Sequence, residues 1–116
     1  WLAFQIKIIC NSLEINTIIV DSSGIYNNRH LRAQDKIIDI CKQEEAESYY
    51  NSIGGRHLYK QDDFKANNIE LRFLNSLPER YPQYGADFIP FLSIIDVMMF
   101  NNKPAIQNLL KKYELV

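Results

Sequence analysis

The sequence predicts an α/β fold, a small two- or three-layer domain with a mostly parallel sheet of about three strands and flanking helices. Apolar residues recur at helical spacing in five segments. Short β-branched or alternating runs fall between them. The resulting order, α-β-α-β-α-β-α-α, belongs to folds in which helices cover a sheet, and no internal repeat or low-complexity stretch interrupts it.

Residues 1–13 read as a helix because Leu2, Ile6, Ile9 and Leu13 return every three or four positions, with Gln5, Lys7 and Asn11 between them. The pattern opens on Trp1 rather than Met, so a preceding segment is expected. Asn16 is placed as the helix terminator. Residues 17–20, Thr-Ile-Ile-Val, have the β-branched character of a strand buried on both faces. Asp21, Ser22, Ser23 and Gly24 turn the chain into an aperiodic loop that carries His30. Residues 33–46 form the second helix, with Ile37, Ile38 and Cys41 inward. Residues 48–50 are a short strand, and residues 62–67 a short helix with two acids in its first turn and Asn67-Asn68 at its end. Residues 70–74, Glu-Leu-Arg-Phe-Leu, alternate and predict a strand with one wet face. Residues 75–90 are loop with three of the four prolines, and residues 93–100 and 104–115 are the last two helices.

Composition narrows the function classes. The apolar share of 47% and charged share of 23% suit a soluble globular domain spanning residues 1–116. No run reaches the ~18 apolar residues of a membrane span and no signal segment opens the chain, which places it in the cytoplasm. A net charge of −1, with Lys60, Lys65 and Arg72 beside Asp62, Asp63 and Glu70, gives no clustered basic face for nucleic acid. Cys10 and Cys41 fall on apolar helical positions. With only His30 and His57 besides, no zinc signature forms.

Ligands of open α/β sheets bind beyond the carboxyl ends of strands. Three segments qualify: 21–24, 51–59 and 75–85. In NSIGGRHLY (residues 51–59), Gly54 and Gly55 can reach positive φ and let backbone N–H groups approach a ligand, while Arg56 offers a fork for phosphate or carboxylate. The same residues also suit a plain turn, and neither GxGxxG nor a phosphate-loop Lys-Ser/Thr is present, so no cofactor is expected. Tyr81, Gln83, Tyr84 and Asp87, in the segment 81–88, suit a polyhydroxylated ligand or simply cover a core edge. Ser93 and Asp96 are spaced as a capping box rather than as a nucleophile with its base, so Ser93 is a structural cap.

The ordered pattern Gly54-Gly55-x-x-Leu58-Tyr59, then Asp63-Phe64, a strand, and Phe88-x-Pro90-Phe91-Leu92-Ser93-Ile94-Ile95-Asp96 resembles the WbqC-like protein family over roughly residues 49–101. The resemblance implies a bacterial cytoplasmic protein of surface-polysaccharide (O-antigen) biosynthesis, placing an amino-acid or small acyl group on an amino sugar. It carries Gly54, Gly55, Leu58, Tyr59, Phe64, Ser93 and Asp96 over as matching positions, with His57 on a variable one. It also implies a preceding half bearing a Gln-Pro-aromatic-aromatic-Pro motif, which makes this chain a carboxy-terminal half.

Two readings follow. In the first the chain is part of a transferase acting on a nucleotide-linked or amino sugar. Gly54, Gly55 and Arg56 then lie near an anionic group, Tyr59, Tyr81 and Gln83 near the sugar, and Asp96 orients the pocket. In the second the chain is a non-catalytic domain that completes the missing half or joins an oligomer, with Trp1, Leu2 and Phe4 as contact surface.

Overall fold

A computed structural model describes residues 1–85 and 87–116. Along the chain come α1 (Leu2–Ser12), a 3-10 turn (Ser23–Tyr26), α2 (Ala33–Gln43), β1 (Ser48–Ser52), a 3-10 helix (Ile53–Leu58) and α3 (Gln61–Ala66). They are followed by β2 (Glu70–Ser76), α4 (Ile94–Phe100), α5 (Lys103–Leu109) and β3 (Tyr113–Leu115). The fold is mixed α/β, with one three-stranded sheet in the order β1-β2-β3. The chain divides into two units, residues 22–75 with 114–116 and residues 1–21 with 76–113.

The first unit holds the sheet. β1 and β2 run parallel, in a register that sets Tyr49 against Leu71 and Asn51 against Phe73. Phe73 and Val116 exchange both main-chain hydrogen bonds, at 2.8 and 3.0 Å, which makes the β2–β3 pairing antiparallel. Alternation along β2 works as expected: Leu71 and Phe73 are buried while Glu70 and Arg72 face water. Against that buried face pack Ile38 and Cys41 of α2 and Phe64 of α3. Phe64 is fully buried, stacked on Tyr49 at 5.6 Å and edge-on to Tyr59 at 5.9 Å. The loop before α2 is tied down by Asn28, only 2% exposed, whose amide donates to Asp39 Oδ2 at 2.7 Å.

The second unit gathers α1, α4 and α5. Among the described residues, Leu13 and Ile106 are its buried apolar ones. Gln107 Nε2 donates to the Leu13 carbonyl at 3.1 Å, and Lys103 pairs with Glu14 at 2.7 Å. Asn102 caps α5 by accepting from the Ala105 N–H at 3.0 Å, and Pro104 stands in the first turn, where its missing N–H costs nothing.

Two expected elements change. Residues 17–20 form no strand, and Ile18 is 91% exposed. β-branching favours extended backbone, but a strand exists only where a partner takes its hydrogen bonds. The third strand comes instead from the end of the expected 104–115 helix. α5 stops at Leu109, and residues 113–115 pair with β2 because that pairing satisfies their main-chain groups.

Helix ends also differ from expectation. α1 is closed by Glu14 at φ 59°, not by Asn16, with the Ile15 N–H reaching Cys10 O at 2.8 Å and the Glu14 N–H reaching Asn11 O at 3.2 Å. The same pair of bonds recurs after α2, where Ala46 bonds to Cys41 and Glu45 to Lys42, with Glu45 at φ 52°. It recurs again after α3, around Asn68 at φ 58°. All three are Schellman motifs. Asparagine tolerates the left-handed position, whereas glutamate carries a Cβ penalty there.

Two stability outcomes follow. Phe64→Ala should cost about 3–5 kcal/mol in denaturant unfolding, because the whole ring is removed from the core. Glu45→Gly should add about 0.5–1 kcal/mol by relieving the left-handed residue. A loss in Glu45→Gly would contradict the termination of α2 at that position.

Candidate functional site

Residues 53–58 leave the carboxyl end of β1 as a 3-10 helix rather than an open loop. Among the described glycines only Gly85 has positive φ, so neither Gly54 nor Gly55 uses the conformational freedom expected of it. A Cβ on Gly54 would meet nothing within 4 Å, and one on Gly55 would touch the Asn51 amide at an ordinary 3.5 Å. Arg56 and His57 are exposed on this helix. Tyr59 turns back to the strand it came from. Asn51 Nδ2 donates to Tyr59 Oη at 2.8 Å and to Tyr49 Oη at 3.1 Å, and the two phenols lie 3.4 Å apart. Asn51 Oδ1 accepts from the Ser52 N–H at 2.7 Å. Burial and the Tyr59 hydroxyl push the Tyr49 phenol well above its ordinary value, so it stays protonated throughout the neutral range.

Tyr81, Gln83, Ser93 and Asp96 belong to the other unit. Ser93 caps α4, its Oγ accepting from the Ile95 N–H at 3.3 Å. Asp96 does not close a capping box. Its Oδ2 instead accepts from Tyr81 Oη at 2.7 Å, which raises the Tyr81 pKa because the carboxylate holds the phenolic proton. Two expected ligand residues thus meet directly. The Gln83 amide is engaged on both sides by Ile89, accepting from its N–H at 2.9 Å and donating to its carbonyl at 3.0 Å. Gln83 therefore clamps the 83–89 loop. Of the aromatic segment 81–88, Ala86 lies outside the described residues.

Two cavities share a wall in this unit. One, of about 180 Å³, is apolar, formed by Tyr81, Phe88, Phe91, Ile94, Val97 and Ile106 among others. The second, of about 220 Å³, has Arg80, Gln83 and Asp87 around it. Tyr81 and Phe88, edge to face at 5.4 Å, line both. Arg80 is a charged wall residue that sequence patterns did not single out, and its place beside the polar–aromatic segment 81–88 was its only signal.

Among the described residues no three His, Cys, Asp or Glu side chains are placed to hold a metal ion, and no helix is long and apolar enough to cross a membrane. The WbqC-like protein family matches residues 2–108, and the chain belongs to that family. No curated protein and no solved structure matches it.

The Tyr49 shift has a testable consequence. A phenol whose folded pKa lies above its unfolded value near 10 contributes stability that is fully present below that pH and lost as pH rises toward the folded value. Stability should therefore fall on alkaline titration above pH about 10, and Tyr49→Phe should flatten that fall. An unchanged alkaline limb in Tyr49→Phe would place the effect on another group.

Proposed function

We propose, starting from membership of the WbqC-like family, that the chain is part of a cytoplasmic transferase of bacterial surface-polysaccharide biosynthesis. Its reaction places an amino-acid or small acyl group on an amino sugar. The observation that carries this reading is the wall formed by Tyr81 and Phe88 between an apolar and a polar cavity, with Asp96 held on the Tyr81 hydroxyl. A transferase has to bring an apolar or acyl group and a polar acceptor side by side, and an apolar compartment adjoining one that also carries charged and amide groups provides that arrangement. The sugar occupies the polar side, with one face on aromatic carbon. Asp96 serves as a positioning residue that holds the Tyr81 hydroxyl at the cavity wall, and no covalent nucleophile is required. Gly54, Gly55 and Arg56, on the 3-10 helix after β1, are a separate anion-contact candidate within the sheet-bearing unit.

A nucleotide-linked amino sugar should raise the melting temperature of the protein saturably. Asp96→Asn and Tyr81→Phe should each weaken that shift several-fold, with far-UV spectra unchanged. Gly55→Val and Arg56→Ala report on the second contact region separately. No shift with any amino sugar, or full shifts in all four variants, overturns the reading.

A second reading has its own observation. No α1 side chain is buried, and Trp1, Leu2 and Phe4 are exposed, Trp1 at 94%. On that reading the chain completes an amino-terminal half through this apolar face. The separately produced half should then form a stoichiometric complex with the chain, and Phe4→Asp should prevent it. Absence of a complex removes this alternative.

A further inference from the structure

The polar cavity beside Tyr81 and Phe88 contains one cationic and one anionic side chain, Arg80 and Asp87. Neither is used elsewhere. Ion pairs within 4.0 Å engage Lys7 with Asp21, Lys103 with Glu14 and Lys112 with Glu79 in the same unit, whereas Arg80 and Asp87 have no such partner among the described residues, including each other. Arg80 is nonetheless positioned. Its guanidinium carbon lies over the Phe88 ring, 5.9 Å from the centroid, so the fork is held by a cation–π contact that consumes none of its N–H donors. Gln83 already has one N–H and one carbonyl lone pair committed to Ile89.

We propose that this cavity binds a zwitterion, with a carboxylate or phosphate on Arg80 and an ammonium group on Asp87. The planar guanidinium pairs with an oxyanion through two parallel N–H donors, and a carboxylate accepts from an ammonium through charge-assisted hydrogen bonds. Two separated opposite charges select a ligand that carries both. A free amino acid and an amino-sugar phosphate share this chemistry. For an amino acid, the Tyr81 and Phe88 rings lining this cavity give its side chain apolar contact. The site assignment rests on Arg80 and Asp87 alone, while its place in a transfer reaction rests on the reading above.

Isothermal titration of the protein separates the outcomes. The probes are L-leucine, glycine and glucosamine 6-phosphate as zwitterions, N-acetyl-leucine and leucinamide as single-charge controls, and N-acetylglucosamine as a neutral sugar. At least one zwitterion should bind about five- to tenfold more tightly than its single-charge controls, the scale of a partly exposed ion pair. L-leucine binding better than glycine assigns the amino-acid source, and glucosamine 6-phosphate alone assigns the sugar source. Arg80→Gln should abolish the preference for the anionic group and Arg80→Lys should restore part of it, while Asp87→Asn should abolish the preference for the amine. Single-charge controls binding as tightly as the zwitterions, or no zwitterion binding at all, overturns the proposal. If N-acetylglucosamine still binds in that case, the transferase reading survives without it. If a zwitterion binds and no amino sugar does, the site stands and the transferase reading falls.

Discussion

β2 has partners on both sides, and most of the sheet-bearing unit follows from that central position. Its parallel partner β1 cannot be reached by a tight turn, so residues 53–69 must cross over, and α3 is the crossover helix. The crossover brings Phe64 onto the sheet, where its ring meets Tyr49, Tyr59 and other members of the apolar cluster. The antiparallel partner β3 has no buried side chain. Main-chain hydrogen bonds to Phe73 define it instead, and they draw residues 113–116 out of what would otherwise be the last turns of a helix.

The other unit is held differently. Few of its apolar residues are buried, and beside the Tyr81–Phe88 and Tyr84–Phe100 ring pairs its ties are polar: the Gln107–Leu13 bond, the Lys103–Glu14 and Lys7–Asp21 pairs, and the Tyr81–Asp96 bond. Exposed pairs of this kind contribute little to stability. What they provide is placement. The Tyr81–Asp96 bond and the Gln83–Ile89 bonds fix residues of the 80–96 segment at the edges of the two cavities. That loop is the best candidate for function because its polar groups fix geometry more than they stabilise the fold.

Legibility of the site was uneven, for identifiable reasons. In sequence Tyr81 stands in an aromatic cluster and Asp96 at a helix start, and the structure joins them. Asp96 looked like a capping-box acid because spacing within one helix is visible in sequence, whereas a phenol arriving from residue 81 is not. Gly54-Gly55 looked like a conformational requirement. In the 3-10 helix both lie outside the left-handed region and have room for a side chain, so their presence has no backbone explanation. Arg80 escaped notice because one arginine among scattered charges carries no signal until a ring is found beneath it.

Local pattern was enough for the α/β class, the family, the alternation of β2 and the existence of the α-helices. All of these rest on local periodicity or on an ordered motif within one stretch of chain. Tertiary structure alone decided that residues 17–20 stay unpaired while residues 113–115 become a strand. It also decided that Glu14 and Glu45 end helices without glycine, and that Tyr81 lies between an apolar and a polar cavity. In each case the deciding interaction joins groups distant in sequence, or offsets a local backbone penalty with bonds the local pattern does not show. A strand is a property of two segments and a cavity of several. A single stretch of residues records its own preferences, not which partner will satisfy them.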